Sequence, residues 1–146
     1  MTNDLRLFVY GTLLEGEREH DLLAGAEFVG KIRTEPTHTL VDLGVYPALL
    51  ARGTVAVSGE LYRVSRKHRF AIDVNKECPV LFHRIEVRLE DGTVAETYAM
   101  RDDQVRGKRR LWQGDWRQRF APRPRAEATQ PSSPFRRGSR GRVTSR

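Results

Sequence analysis

The segment Val9-Tyr10-Gly11-Thr12-Leu13 decides how the start of this chain is organised. It ends a short apolar strand that begins at Leu5 and leads into residues with helical character. A strand that stops at glycine exposes consecutive backbone N–H groups, and such a turn can bind a carboxylate or a phosphate. A β-turn that needs glycine only for its backbone geometry would have the same sequence, so both interpretations stay open at this point.

The length and composition are those of one ordinary globular domain. The chain has 146 residues, of which 38% are hydrophobic and 31% are charged. No run approaches the roughly 18 apolar residues of a membrane span, and the N-terminus lacks the pattern of a secretory signal. We therefore expect a cytoplasmic protein with no membrane partner. The single cysteine, Cys78, excludes an internal disulfide.

The net charge of +7 is distributed unevenly. Residues 1–104 contain 13 basic and 17 acidic side chains, a balance of −4, whereas residues 105–146 contain 13 and 2, a balance of +11. The end of the chain is rich in Arg, Pro, Ser and Gly and has too few apolar residues to offset the entropy of ordering. We expect a folded domain over residues 1–120 and a disordered tail over 121–146. That tail either binds nucleic acid through phosphate contacts or serves only as a solubilising appendage.

Short strands dominate the folded part. Apolar and β-branched runs predict strands at 5–10, 26–33, 38–43, 55–57, 60–64, 81–89 and 94–100. Helical patterns predict short helices over Glu15–Leu23 and Arg66–Asp73, the second with Ser65 as its N-cap. Since strands and helices do not alternate as βαβ units, we predict an α+β fold whose strands close into a small, mostly antiparallel β-barrel with short flanking helices.

Three polar positions are candidates for a site. Tyr46 precedes Pro47, which fixes the backbone, so its ring is either presented rigidly to a pocket or buried in a turn. Glu60 lies within a strand and could pair with an arginine as easily as with a ligand. Glu77 lies between a helix and a strand beside apolar residues, where desolvation suits a general base. Glu77 could equally be a solvated loop charge. The four histidines show no metal-ligand spacing, so we expect no metal.

Together these motifs resemble the γ-glutamylcyclotransferase-like (AIG2-like) family. The resemblance covers residues 5–118 and is carried by the segments Val9–Leu13, Tyr46-Pro47-Ala48-Leu49, Gly59-Glu60-Leu61-Tyr62, Ile72–Arg84, Glu90-Asp91-Gly92 and Gly114-Asp115-Trp116-Arg117. Each motif is short, but their order and spacing together are specific.

The resemblance implies a small barrel and an intramolecular reaction. In that reaction the α-amine of a γ-glutamyl amine or γ-glutamyl amino acid attacks its own γ-carbonyl and releases 5-oxoproline. One glutamate carries the proton, and neither a metal nor an organic cofactor is needed. The implied substrate-binding residues are Tyr10, Gly11, Thr12 and Leu13, through their backbone, together with Tyr46 and Tyr98 as pocket walls.

The chain departs from the family pattern at one place. The usual pattern is Leu-Asp-x-x-Glu-Gly-x-Pro, and counting from Asp73 puts Lys76 at the glutamate and Glu77 at the glycine. Either the loop is reshaped so that Glu77 is the catalytic acid and base, which is our prediction, or the protein has lost turnover. In the second case a small carboxylated ligand would be held by the charge of Lys76. The leaving group and the oligomeric state stay open.

Overall fold

The computed structural model describes residues 5–122. The tail predicted to be disordered, for which nucleic-acid binding is one of two alternatives, lies almost wholly outside these described residues, and the domain boundary at residue 120 stays a prediction. Within residues 5–122 no helix has the length and hydrophobicity that a membrane span requires.

Eight strands, one α-helix and three short 3-10 helices make up the described chain. The strands are Leu5–Val9 (β1), Glu27–Arg33 (β2), His38–Asp42 (β3), Pro47–Val55 (β4), Ser58–Val64 (β5), His83–Arg88 (β6), Val94–Met100 (β7) and Arg109–Arg110 (β8). The α-helix is Arg66–Asn75 (α1), and the 3-10 helices are His20–Leu23, Asp102–Gln104 and Trp116–Gln118.

All eight strands belong to one mixed sheet. Its order is β2-β5-β1-β7-β4-β3-β8, with β6 paired to β7 beside this path. Strand β7 runs parallel to β1 and to β4, and the other pairings are antiparallel. The α+β class is confirmed, but the predicted closed barrel is wrong. Closure would need continuous pairing between the end strands, and β8 offers only two exposed residues.

Strand β1 is buried on both faces and separates two apolar clusters. Leu7 and Val9 contribute to the cluster that includes Ile72 of α1, whereas Phe8 and Tyr10 contribute to the cluster on the other face. This is the two-residue alternation of a strand. Consequently the ring of Tyr10 lies on the opposite face from α1.

The structure contains one of the two predicted helices in full and only the end of the other. Helix α1 begins directly after Ser65, whose Oγ accepts a hydrogen bond from the His68 N–H at 3.1 Å, and it extends two residues beyond the prediction. The helix predicted over Glu15–Leu23 is wrong for most of its length, because only its last four residues form a 3-10 turn. Gly16 has a φ of +87°, a left-handed conformation that no α-helix contains.

Candidate functional site

The loop that follows β1 presents unpaired backbone donors. Within residues 5–122 the N–H groups of Gly11, Thr12 and Leu13 have no intramolecular acceptor, although Thr12 and Leu13 are only 2% and 4% exposed. Buried N–H groups are rarely left without a partner. A loop of this kind can bind an anion or stabilise negative charge that develops on a carbonyl oxygen.

Gly11 is required by the packing of this loop against β4. A Cβ atom at this position would lie 2.6 Å from Cγ and 2.7 Å from Cδ of Pro47. Both distances are far below van der Waals contact, so a larger residue would push the loop away from the sheet. The glycine is therefore needed for close approach.

Lys76 extends from the end of α1 towards this loop. Its Nζ atom lies 3.4 Å from Thr12 Oγ1 and 3.4 Å from Glu19 Oε1. The rings of Phe82 and Tyr46 flank the ammonium group, with their centroids 5.3 Å and 5.9 Å from Nζ. Only 11% of the lysine side chain is exposed. The charge is thus held in place by one carboxylate, one hydroxyl and two aromatic rings.

Glu19 is the carboxylate at the centre of this cluster. The Thr12 hydroxyl donates to its Oε1 atom, and the Asn75 amide donates to Oε2 at 3.2 Å. Burial raises the pKa of Glu19, but the Thr12 hydrogen bond and the charge of Lys76 outweigh burial, so that the net pKa lies below its usual value. Glu19 is therefore ionised at neutral pH.

Burial has the opposite effect on the lysine. It lowers the pKa of Lys76, and the charge and hydrogen bond of Glu19 restore it only in part. The cluster therefore combines an ionised carboxylate with an ammonium group that releases its proton more readily than an exposed lysine does.

A small hollow lies between the loop and α1. Its walls are formed by residues 8–13, Pro47, Lys76, Thr97 and Tyr98. The volume is about 20 Å³, which is room for one water molecule. The Lys76 side chain forms one wall of the hollow, so a larger molecule needs this side chain to move.

The structure does not bring Glu77 to this hollow. Its N–H donates to Val74 O at 3.1 Å, while the N–H of Cys78 donates to Asp73 O at 2.9 Å. These two bonds form a Schellman motif, in which the residue after the helix cap takes a left-handed conformation. Glu77 accordingly has a φ of +51° and an exposed side chain. Its predicted role as acid and base stays a prediction, and this orientation counts against it.

The three tyrosines predicted for the site occupy different positions in the structure. The Tyr10 hydroxyl donates to Tyr98 O at 2.6 Å and accepts from the N–H of Leu49 at 3.0 Å, so its ring is fixed in the core, and burial strongly raises its pKa. The Tyr98 side chain lies by the hollow and donates to Asp73 Oδ1 at 2.5 Å. Burial and then this carboxylate raise the pKa of Tyr98. The ring of Tyr46 contacts the cluster at the Lys76 ammonium group.

The structure thus assembles most of the predicted site. Gly11, Thr12, Leu13, Tyr46 and Tyr98 surround the hollow or its lysine, whereas Tyr10 contributes only its backbone. Within residues 5–122 no group of three His, Cys, Asp or Glu side chains is placed to hold a metal ion. Sequence reasoning missed Glu19, because that residue looked like one of several acidic groups near a helix start.

Comparison with known proteins supports the family resemblance that the sequence motifs indicated. The family model described as "Gamma-glutamyl cyclotransferase, AIG2-like" matches residues 7–118. A Vibrio cholerae protein named "Putative gamma-glutamylcyclotransferase" is 37% identical over 87 residues, which are 60% of this chain and 75% of that protein. The "Gamma-L-glutamyl-butirosin B gamma-glutamyl cyclotransferase" of Niallia circulans is 36% identical over 123 residues, covering 77% of this chain and 75% of that one.

Solved structures share the fold. A uropathogenic E. coli-specific protein superimposes with a TM-score of 0.72 at 22% identity, covering 82% of this chain and 97% of that one. An AIG2-like protein from Mus musculus superimposes with a TM-score of 0.59 at 26% identity, covering 68% and 78%. Residues 7–118, which the family model matches, include the loop after β1 and all of α1. This chain therefore belongs to the γ-glutamyl cyclotransferase, AIG2-like family.

Proposed function

We propose that this protein is a γ-glutamyl cyclotransferase that releases 5-oxoproline from a γ-glutamyl amine or a γ-glutamyl amino acid. The proposal is supported by the family and by the activity named for the Niallia circulans relative. The observation that carries it is the loop of unpaired N–H groups, residues 11–13, beside the buried Glu19–Lys76 pair. Such a loop provides donors for a carbonyl oxygen, and the pair provides groups that exchange protons.

The proposed reaction asks little of the protein. The attacking α-amine is tethered to its target carbonyl, so the enzyme mainly supplies orientation. As the new C–N bond forms, the carbonyl oxygen becomes negative and is stabilised by the loop N–H groups. The bond to the leaving nitrogen then breaks. Two protons leave the α-ammonium nitrogen and two reach the leaving nitrogen, which departs as ammonium, so atoms and charges balance.

The sequence and the structure give different candidates for the residue that carries these protons. The sequence-based candidate is Glu77, whose exposed carboxylate would have to turn inward from a Schellman loop. Glu19 already contacts the loop through the Thr12 hydroxyl. Comparing Glu77→Gln with wild type decides whether Glu77 takes part.

Product formation tests the proposed function directly. Purified full-length protein is incubated with a panel of γ-glutamyl amines and γ-glutamyl amino acids, and 5-oxoproline is measured by mass spectrometry. We expect product from at least one class. Absence of 5-oxoproline across the panel would contradict the proposed function.

A second candidate is a binding domain without turnover. It is favoured by the small volume of the hollow, about 20 Å³, and by Lys76 in its wall, whose charge suits a carboxylate. In that case a small carboxylated ligand raises the melting temperature while no 5-oxoproline forms. Measurable turnover would reject this candidate.

A further inference from the structure

Glu19 and Lys76 form an ion pair at the edge of the hollow, and both charges are largely shielded from water. Their side chains are 25% and 11% exposed, and 3.4 Å separates Nζ from Oε1. Removing one partner of such a pair leaves the other charge without compensation. Any molecule that enters the hollow must therefore either leave the pair intact or replace both of its contacts.

A γ-glutamyl group can replace both contacts. Its α-carbon carries an ammonium group and a carboxylate side by side, the same two charges as the protein pair. The hollow has a volume of about 20 Å³ and Lys76 forms part of its wall, so this group can enter only if the lysine side chain moves. Lys76 is the C-cap residue of α1, and the flexible four-carbon stem of a lysine allows the ammonium group to move away from its two aromatic neighbours.

Resting on the proposed function, we propose that the Glu19–Lys76 pair exchanges partners with the substrate's α-amino-acid head. Lys76 binds the α-carboxylate, and Glu19 binds the α-ammonium group. One ion pair becomes two, so both protein charges stay compensated when the substrate is bound. The site is thereby specific for compounds in which both the α-amine and the α-carboxylate are free.

The exchange also places a base on the nucleophile. Once bound to the α-ammonium nitrogen, the Glu19 carboxylate accepts a proton from it, and the neutral amine attacks the γ-carbonyl carbon. The resulting carboxylic acid gives that proton to the leaving nitrogen as its bond to carbon breaks. Glu19 is then ionised again and takes the second proton of the former ammonium along the same route.

The two carboxylates closest to Lys76 in sequence, Asp73 and Glu77, have other surroundings. Asp73 accepts from the Tyr98 hydroxyl and lies 3.3 Å from Nε of Arg84. Glu77 is exposed on the far side of the Schellman turn. Among the residues that the structure describes, Glu19 is the carboxylate that contacts the loop of unpaired donors, through Thr12.

Binding measurements test the exchange without any need for turnover. Titration calorimetry compares L-glutamine with N-acetyl-L-glutamine, which lacks the ammonium charge, and with 4-aminobutanamide, which lacks the carboxylate. We expect wild-type protein to bind L-glutamine about 10- to 100-fold more tightly than either analogue, the range of one charged hydrogen bond.

The variants should lose this discrimination selectively. Glu19→Gln is expected to bind L-glutamine and its N-acetyl derivative alike, and Lys76→Met to bind L-glutamine and 4-aminobutanamide alike. Lys76→Arg keeps the charge and should keep the preference for the carboxylate. A matched control is Glu17→Gln, because Glu17 lies in the same segment, is 27% exposed and pairs with a cation at 3.5 Å. Circular dichroism confirms that each variant is folded.

The outcomes separate this inference from the proposed function. Discrimination that disappears as described supports the exchange, even if wild-type protein forms no 5-oxoproline and the proposed function fails. Equal affinity of wild-type protein for all three compounds overturns the exchange, even if turnover is measured. If turnover occurs, Glu19→Gln should reduce kcat by about 10²- to 10⁴-fold, the range of general acid–base catalysis; an unchanged kcat overturns the assignment of Glu19 as base.

Discussion

Two sites of this molecule each contain a carboxylate paired with a cation, and they differ in size. The hollow beside Glu19 and Lys76 has a volume of about 20 Å³. The open cleft with Glu60 and Arg117 in its wall has a volume of about 360 Å³. Size alone would select the cleft as the binding site. The contacts of the two carboxylates favour the hollow instead.

Glu60 ties separate parts of the chain together. It is 1% exposed, and its Oε1 atom accepts from the N–H of Glu15 at 3.0 Å and from the Tyr62 hydroxyl at 3.0 Å. Its Oε2 atom lies 3.6 Å from Nη1 of Arg117, whose Nε also pairs with Glu17 at 3.5 Å. A carboxylate that supports the backbone of a neighbouring loop cannot change partners without disturbing that loop. The comparison therefore distinguishes a structural carboxylate from an exchangeable one.

The largest change in stability should follow substitution of the structural carboxylate. Glu60→Gln keeps the shape of the side chain but removes the charge that faces Arg117 and disturbs the acceptor of two hydrogen bonds. We expect it to lower the free energy of unfolding by about 1–3 kcal/mol. Urea denaturation measures this difference. Glu19→Gln, which is more exposed, should cost less, and equal losses in the two variants would erase the distinction.

A smaller effect should appear in the pH dependence of stability. The folded protein lowers the pKa of Lys76, so the unfolded chain binds this proton more tightly. The contribution of Lys76 to stability is then complete above the unfolded pKa of about 10.4 and is lost as pH falls towards the folded pKa. Lys76→Arg does not titrate in this range and serves as the reference. Urea denaturation between pH 7 and 10.5 should show the free energy of unfolding of wild type rising relative to that of the variant. Parallel curves would contradict a buried ammonium group whose charge is only partly compensated.

The smallest effect is expected at Glu77, which does not line the hollow. Glu77 has a φ of +51° at the position of the Schellman motif where glycine is preferred. Glu77→Gly should therefore raise the free energy of unfolding by about 0.5–1 kcal/mol, since it relieves this conformation. If Glu19 is the base, the variant retains turnover. Loss of turnover in both Glu77→Gly and Glu77→Gln would restore Glu77 as the acid and base.

Local signals predicted the parts of the fold that depend on neighbouring residues. The Ser65 cap marks the start of α1, and the strands predicted at 81–89 and 94–100 correspond to β6 and β7, which pair antiparallel. Closure of the sheet depends on whether β2 and β8 meet, and no local pattern determines such long-range pairing. The prediction of a barrel therefore failed where the argument relied on strand number alone.

The site was predictable to the same extent. The loop Gly11–Leu13 and Tyr46 became candidates because glycine permits backbone conformations that other residues avoid and proline fixes the backbone locally. The choice between Lys76 and Glu77 depended on where α1 ends, and the helix continued to Asn75, so that the lysine points inward. Glu19 is 57 positions from Lys76, and a contact over that distance leaves no signature in a single sequence.

The contact between Gly11 and Pro47 also limits how this protein can be redesigned. The loop and β4 are already so close that no side chain fits between them, so this wall cannot be moved outward or trimmed. Tyr46 and Phe82 lie against the Lys76 ammonium group, outside the lining of the hollow, and their ring centroids are 5.7 Å apart. A library that aims to admit bulkier compounds should therefore vary these two aromatic positions and keep position 11 constant.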